Sequence, residues 1–152
     1  KAMSRVDIGS ICHLIRAGQV PALSVRQPWA HRIMRRGKDI ENRTWDTKYR
    51  GWLMLHAGQT VDRDALDDDF ADAGEQDAIS ARGAILGVVR VQGTTRDDPS
   101  RWFIGPVGII LRDPINLPEP VECKGRLGLF KPDREVRERV IVELISKARR
   151  TA

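Results

Sequence analysis

Lys38, Glu41 and Arg43 stand close together in the run Gly37-Lys38-Asp39-Ile40-Glu41-Asn42-Arg43, a point cation, a carboxylate and a planar guanidinium fork. A fork of that shape grips a phosphate through two hydrogen bonds, whereas a lysine supplies only a point charge. Gln27 and Asn42 carry amides that can meet base edges, and Trp29 and Trp45 carry flat faces on which a base can stack. With Arg50, His56 and Lys124, these residues form a candidate nucleic-acid-binding set. Two plainer roles compete with it. Glu41 and Arg43 can be a structural ion pair, and His56 can be a satisfied histidine beside the core. If the chain is an enzyme, Lys38 and Glu41 are the candidate catalytic residues, since general acid–base work needs such a pair.

Other chemistries find little footing. His13, His31 and His56 are not spaced as a local ligand pair, and there is no His-Glu-x-x-His run, P-loop or dinucleotide-binding glycine fingerprint. Neither a metal nor a cofactor is expected. Ser24, Ser80 and Ser100 lack the strained Gly-x-Ser-x-Gly turn of a nucleophile elbow. Cys12 and Cys123 are far apart and outside any Cys-x-x-Cys spacing, so both are expected as reduced thiols.

Charge adds a second clue. The 152 residues carry a formal net charge of +5, but Asp62–Asp77 holds eight acids against one base. That net −7 leaves +12 for the remainder. A fold that gathers those bases would attract polyanions, because neutralised phosphates release counterions. The expectation is a basic face around Gln27–Arg50 with the acidic stretch elsewhere. With 41% hydrophobic and 31% charged residues the chain has the composition of a folded globular domain rather than a disordered one. No apolar run reaches membrane-spanning length and no secretory leader is evident, so a cytoplasmic protein is expected. Lys1-Ala2 ahead of Met3 reads as a cloning remnant.

The elements that must position these groups follow from periodicity. Ile8, Ile11, Cys12 and Ile15 recur at helical spacing, with Gly18 as a stop. Ala22–Val25 reads as a strand, and Pro28 opens a helix running to about Arg36. Ile40–Trp45 and Trp52–Ala57 alternate as neighbouring strands, with Glu41, Arg43 and Trp45 sharing one side. Asp62 to about Ala73 reads as an acidic helix with a narrow stripe of Ala65, Leu66 and Phe70, followed by a mobile loop to Arg82. Ala84–Val91 and Val107–Leu111 are buried strands, the Pro-rich run Asp113–Lys124 is a surface crossing, and Val136–Ala148 is a helix. Short strands without βα alternation favour an α+β fold, a small β-barrel with peripheral α-helices.

Val25-Arg26-Gln27-Pro28-Trp29, the Gly37–Arg43 run, Thr44-Trp45, Arg50-Gly51 and His56-Ala57-Gly58 occur in the order of the ASCH domain family. So do Leu117-Pro118-Glu119-Pro120-Val121 and Lys124-Gly125-Arg126-Leu127-Gly128-Leu129-Phe130. The chain resembles that family over about residues 22–132, particularly the branch of the C-terminal domain of activating signal cointegrator 1. The resemblance implies a PUA-like barrel with a cleft beside its first helix that binds RNA or DNA, with single strands among the expected forms. Residues 1–21 and 133–152 lie outside it as terminal helices, the second packed on the domain. Some relatives are amidohydrolases that deacylate N4-acetylcytidine. They use a Lys matching Lys38, a Thr where this chain has Glu41, and a further Glu that finds no clear match here. Ribonuclease activity is the other enzymatic expectation. Binding ranks first, because the Thr is missing and basic residues are in surplus.

Overall fold

The computed structural model describes residues 7–151; the remnant expected at Lys1-Ala2 lies outside them. Its centre is a six-stranded mixed sheet that curls into a half-barrel, giving the expected α+β, PUA-like class. The strands are β1 (Ala22–Gln27), β2 (Ile40–Arg43), β3 (Gly51–Val61), β4 (Ala84–Thr95), β5 (Val107–Glu122) and β6 (Leu129–Phe130). They lie in the order β2-β5-β4-β3-β1-β6, and every pairing is antiparallel except β1 with β3. The helices are α1 (Ile8–Arg16), α2 (Trp29–Arg35), the single turn α3 (Glu75–Ala78) and α4 (Arg134–Arg150). No helix is long and apolar enough to cross a membrane.

Strand alternation sorts the apolar residues into two cores. Ala22, Met54, Ile85, Val88 and Val121 join Ile11, Cys12 and Ile15 of α1 and Val140, Ile141 and Leu144 of α4. Their strand neighbours Leu23, Leu53, Leu55 and Val89 face the other way, onto Ala30, Ile33 and Met34 of α2. The terminal helices therefore cover one face of the sheet and α2 the other. Asp133 caps α4 by accepting a hydrogen bond from the Val136 amide. Gly18, at φ +72°, ends α1 in a left-handed conformation that only glycine adopts readily.

Two expectations fail. The Pro-rich run is not a loop: β5 continues from Val107 to Glu122 through most of it and pairs with β4 at Ile115 and Asn116 and again at Val121 and Glu122. Pro114, Pro118 and Pro120 all fall between the residues that pair directly, where the missing N–H removes no ladder bond. Nor is Asp62–Ala73 an amphipathic helix. It forms a short 3-10 turn at Asp64–Asp67, and α3 follows where a loop was expected. The stripe of Ala65, Leu66 and Phe70 is too narrow to hold a helix against the domain, and an ion-pair network does the anchoring instead.

That network centres on Arg32 of α2, which is fully buried. Its Nε donates to Glu75 Oε2 at 2.7 Å, its Nη1 and Nη2 donate to Asp68 at 2.8 and 2.9 Å, and Nη2 also donates to the Ala65 carbonyl. Arg36 adds bonds to Glu75 and the Phe70 carbonyl. Burial works to lower the pKa of Arg32, but its bonds to Glu75 and Asp68 outweigh that and raise it. Burial likewise works against the Glu75 carboxylate, and Arg32 and Arg36 reverse it, holding the group below its usual range. The acidic segment is thus fastened against α2, beside the expected basic face and not away from it.

Candidate nucleic-acid interface

The left-handed turn at Gly37 (φ +72°) leads from α2 into β2 and sends Lys38 inward, leaving it 4% exposed. Its Nζ donates to the Ile40 carbonyl and, at 2.8 Å, to Glu41 Oε1. The other oxygen of Glu41 accepts from Arg43 Nε at 3.1 Å. Arg43 continues the chain of contacts, donating through Nη2 to the Ser24 carbonyl of β1 at 2.8 Å. Lys38 and Arg43 are therefore on one side of the molecule, joined by one carboxylate. Alternation along β2 puts Glu41 and Arg43 on the same face, as their spacing requires. The structural ion pair weighed for Glu41 and Arg43 is present, and it leaves Arg43 Nη1 without a partner among the described residues.

Around this triad is a cavity of about 520 Å³. Trp29 stands on one wall with Lys38 Nζ 5.6 Å from its ring centre, and its indole N–H donates to Asp62 at 2.9 Å. Phe70 and Trp102 form a second aromatic wall, their centroids 4.4 Å apart, with the Arg101 guanidinium 4.7 Å from each ring. Phe70 comes from the acidic segment and Trp102 from the β4–β5 loop, so neither was legible as a site residue from local pattern. Asn42 does not reach the cavity with a free amide. Its Oδ1 accepts from the Ile104 and Gly105 amides and its Nδ2 donates to the Trp102 carbonyl, which pins that loop in place.

A larger, more open cavity of about 1000 Å³ adjoins the first and shares Ser24, Arg26 and Arg43 with it. Arg26, Arg43, Arg82, Lys124 and Arg126 line it against the single acid Glu122. Arg82, Lys124 and Arg126 are exposed and have no ion pair among the described residues, whereas Arg26 faces Asp62 at 3.7 Å. His56 lies at its floor, 1% exposed. Burial lowers its pKa, against the opposing hydrogen bond to the Cys123 carbonyl, so the ring is neutral at neutral pH.

The structure thus brings together Trp29, Lys38, Glu41, Arg43, His56 and Lys124 from the candidate set. Three candidates lie elsewhere. Gln27 is buried with its amide consumed, donating to the Ala78 and Ala81 carbonyls and accepting from the His31 amide, so it ties α3 and α2 to β1. Arg50 is exposed but folds back on the Thr47 and Tyr49 carbonyls. Trp45 lines neither cavity and packs on the α2-side core, with Arg43 5.9 Å from its ring. Sequence reasoning missed Arg26, Arg82, Arg101, Arg126, Phe70 and Trp102. Of these Arg26 and Arg126 sat within runs already singled out, and Phe70 within the apolar stripe of the acidic segment. Among the described residues no group of three His, Cys, Asp or Glu side chains is placed to hold a metal ion.

No curated protein matches the chain. The ASCH domain profile, by contrast, matches residues 23–110, which is more than half of its length and contains β1 to β4, α2 and the Lys38–Glu41–Arg43 triad. By that match and by the half-barrel that bears it, the chain belongs to the ASCH domain family.

Proposed function

We propose that this domain binds single-stranded RNA, with the phosphate backbone in the basic trough and one base in the aromatic cavity beside it. The observation that carries the reading is the shared wall: Arg43 and Arg26 border both spaces, so a phosphate and its own base can be held at once. The smaller cavity falls in the size range of small-molecule sites, and Trp29, Phe70 and Trp102 offer it planar apolar surface. Stacking of a base on such a side chain contributes about 1–3 kcal/mol. A duplex keeps its bases stacked on each other and cannot offer one to a closed cavity, so single strands are favoured. Within the family we place the chain with the branch of the C-terminal domain of activating signal cointegrator 1, on the Leu117–Val121 and Lys124–Phe130 runs. Both cysteines are free thiols, which fits a cytoplasmic setting.

The test is anisotropy of a labelled single-stranded oligoribonucleotide titrated with protein, beside the same oligomer in duplex form. Preference for the single strand, lost in Trp102→Ala, is expected. Equal affinity for both forms, unaffected by that change, would exclude the base pocket.

The second reading is amidohydrolysis of a modified nucleoside, favoured by the buried Lys38–Glu41 pair lining a nucleoside-sized cavity. It ranks lower because Lys38 is already engaged with both the Ile40 carbonyl and Glu41, and because Glu41 stands where that mechanism needs a Thr. Release of cytidine from N4-acetylcytidine, abolished in Lys38→Ala, would reverse the order.

A further inference from the structure

The parallel register of β1 on β3 sets Ser24 opposite His56. Their side chains meet: His56 Nδ1 is 2.9 Å from Ser24 Oγ. The other ring nitrogen, Nε2, contacts the Cys123 carbonyl, which can only accept, so Nε2 carries the proton. In the neutral ring Nδ1 must then present a lone pair, and the Ser24 hydroxyl donates to it. A base aimed at a hydroxyl and oriented by a third group is the arrangement that activates a serine nucleophile.

The surroundings leave that hydroxyl open. Gly58 and Gly125 flank it: a Cβ at Gly58 would come within 3.0 Å of Ser24 Oγ, and one at Gly125 within 3.1 Å of it and 2.9 Å of His56 Cε1. Ser24 lines both cavities, with the aromatic walls on one side and the basic trough on the other. Arg43 is bound to the Ser24 carbonyl through Nη2 and lines both cavities with it, which sets a cation beside the serine. A pair serving packing alone needs neither an open hydroxyl nor a cation beside it.

We propose that Ser24 and His56 form a nucleophile–base dyad that hydrolyses a carboxylic ester of a phosphate-bearing alcohol, such as an acyl group on a ribose hydroxyl. The Ser24 oxygen bonds to the acyl carbon while its proton passes to His56 Nδ1. The bond from that carbon to the alcohol oxygen breaks, and Nδ1 returns the proton to the departing alkoxide. Water repeats the sequence on the acyl-serine, its proton passing through Nδ1 to Ser24 Oγ, and the carboxylic acid leaves. The substrate class rests on the nucleic-acid reading, since the trough must hold the phosphate. The dyad itself does not.

Phenylmethylsulfonyl fluoride tests the dyad without any phosphate, because serine attack on sulfur expels fluoride and leaves a stable adduct. Peptide mass spectrometry should find one adduct, on Ser24, absent from Ser24→Ala and formed about 100-fold more slowly in His56→Gln. In the wild-type protein the labelling rate should rise with pH to a plateau, with a midpoint below the ordinary histidine value of 6.5. That profile stands even if His56→Gln fails to fold. No adduct, or a rate that climbs steadily through the alkaline range as an unassisted hydroxyl does, overturns the dyad. RNA binding is measured on the same preparation. Labelling without binding overturns the substrate class together with the nucleic-acid reading, whereas binding without labelling overturns the dyad alone.

Discussion

Salt dependence is the sharpest measure of the basic trough, because its size follows from a count of cations. Five line the cavity, of which Arg43 is already paired with Glu41 and Arg26 lies near Asp62. Between three and five phosphates are therefore neutralised when a strand is bound. For single strands the logarithm of the affinity falls with the logarithm of salt at about 0.7 per phosphate, giving a slope between about −2 and about −3.5. Raising salt from about 50 to about 200 mM should accordingly weaken binding by roughly 20-fold to roughly 130-fold. The triple variant Arg82→Ala, Lys124→Ala, Arg126→Ala removes only exposed side chains and should leave the melting temperature within a degree or two. Its slope should be shallower than the wild type's by about 2. Anisotropy titrations at four or five salt concentrations, run on both proteins, give both slopes. Parallel lines for the two proteins would show that the phosphates lie elsewhere and would refute the trough as the backbone site.

Further perturbations separate the site from its scaffold. Arg43→Lys keeps the charge but loses the fork that joins Glu41 to Ser24, so both the melting temperature and the affinity should fall; a lowered melting temperature with unchanged affinity per folded molecule would make Arg43 a strut alone. Glu75→Gln leaves the buried Arg32 with Asp68 as its remaining carboxylate and should cost about 3 kcal/mol in urea unfolding, and a neutral result would show that the network does not anchor the segment. Because Glu75 is held below its ordinary value of 4.5, its contribution is complete above that pH and is lost as pH falls through the lowered value; acid titration of stability should show a loss in that window that Glu75→Gln lacks. Gly87→Ala would set a Cβ 2.2 Å from the Ile115 carbonyl and 2.5 Å from Met34 Cε, so it should destabilise by about 1–3 kcal/mol or more by thermal melt.

Local pattern carried α1, α2, α4 and most strands because each has its own periodicity: Ile11, Cys12 and Ile15 could face only one way, and so could Leu53 and Leu55. The triad was legible for the same reason, since alternation alone puts Glu41 beside Arg43. What local pattern misjudged depended on distant partners. Gln27 looked available until Ala78, Ala81 and His31 used up its amide. The acidic stretch looked like a solvated helix because a buried arginine from α2 leaves no mark in its neighbourhood. Ser24 had none of the sequence context of an activated serine, and only the pairing of β1 with β3 set it against His56.

The placement of the segment between β3 and β4 has a consequence for how such a site can change. β3 and β4 pair as far as Ala57 with Ala84, so the sheet is closed behind the segment whatever its length or composition. Its hold on α2 runs through Arg32 and Arg36, yet it supplies Phe70 and Asp62 to the cavity. The cations come mainly from the sheet and the loop before β6, while much of the cavity's shape comes from an excursion that the sheet does not need. If the trough holds a phosphate chain, its grip and the choice of what fills the cavity are carried on largely separable pieces of chain, Arg82 being the one trough cation that the excursion itself supplies. An insertion, deletion or exchange of that excursion that keeps Arg82 would then retune selectivity while the other four cations stay in place.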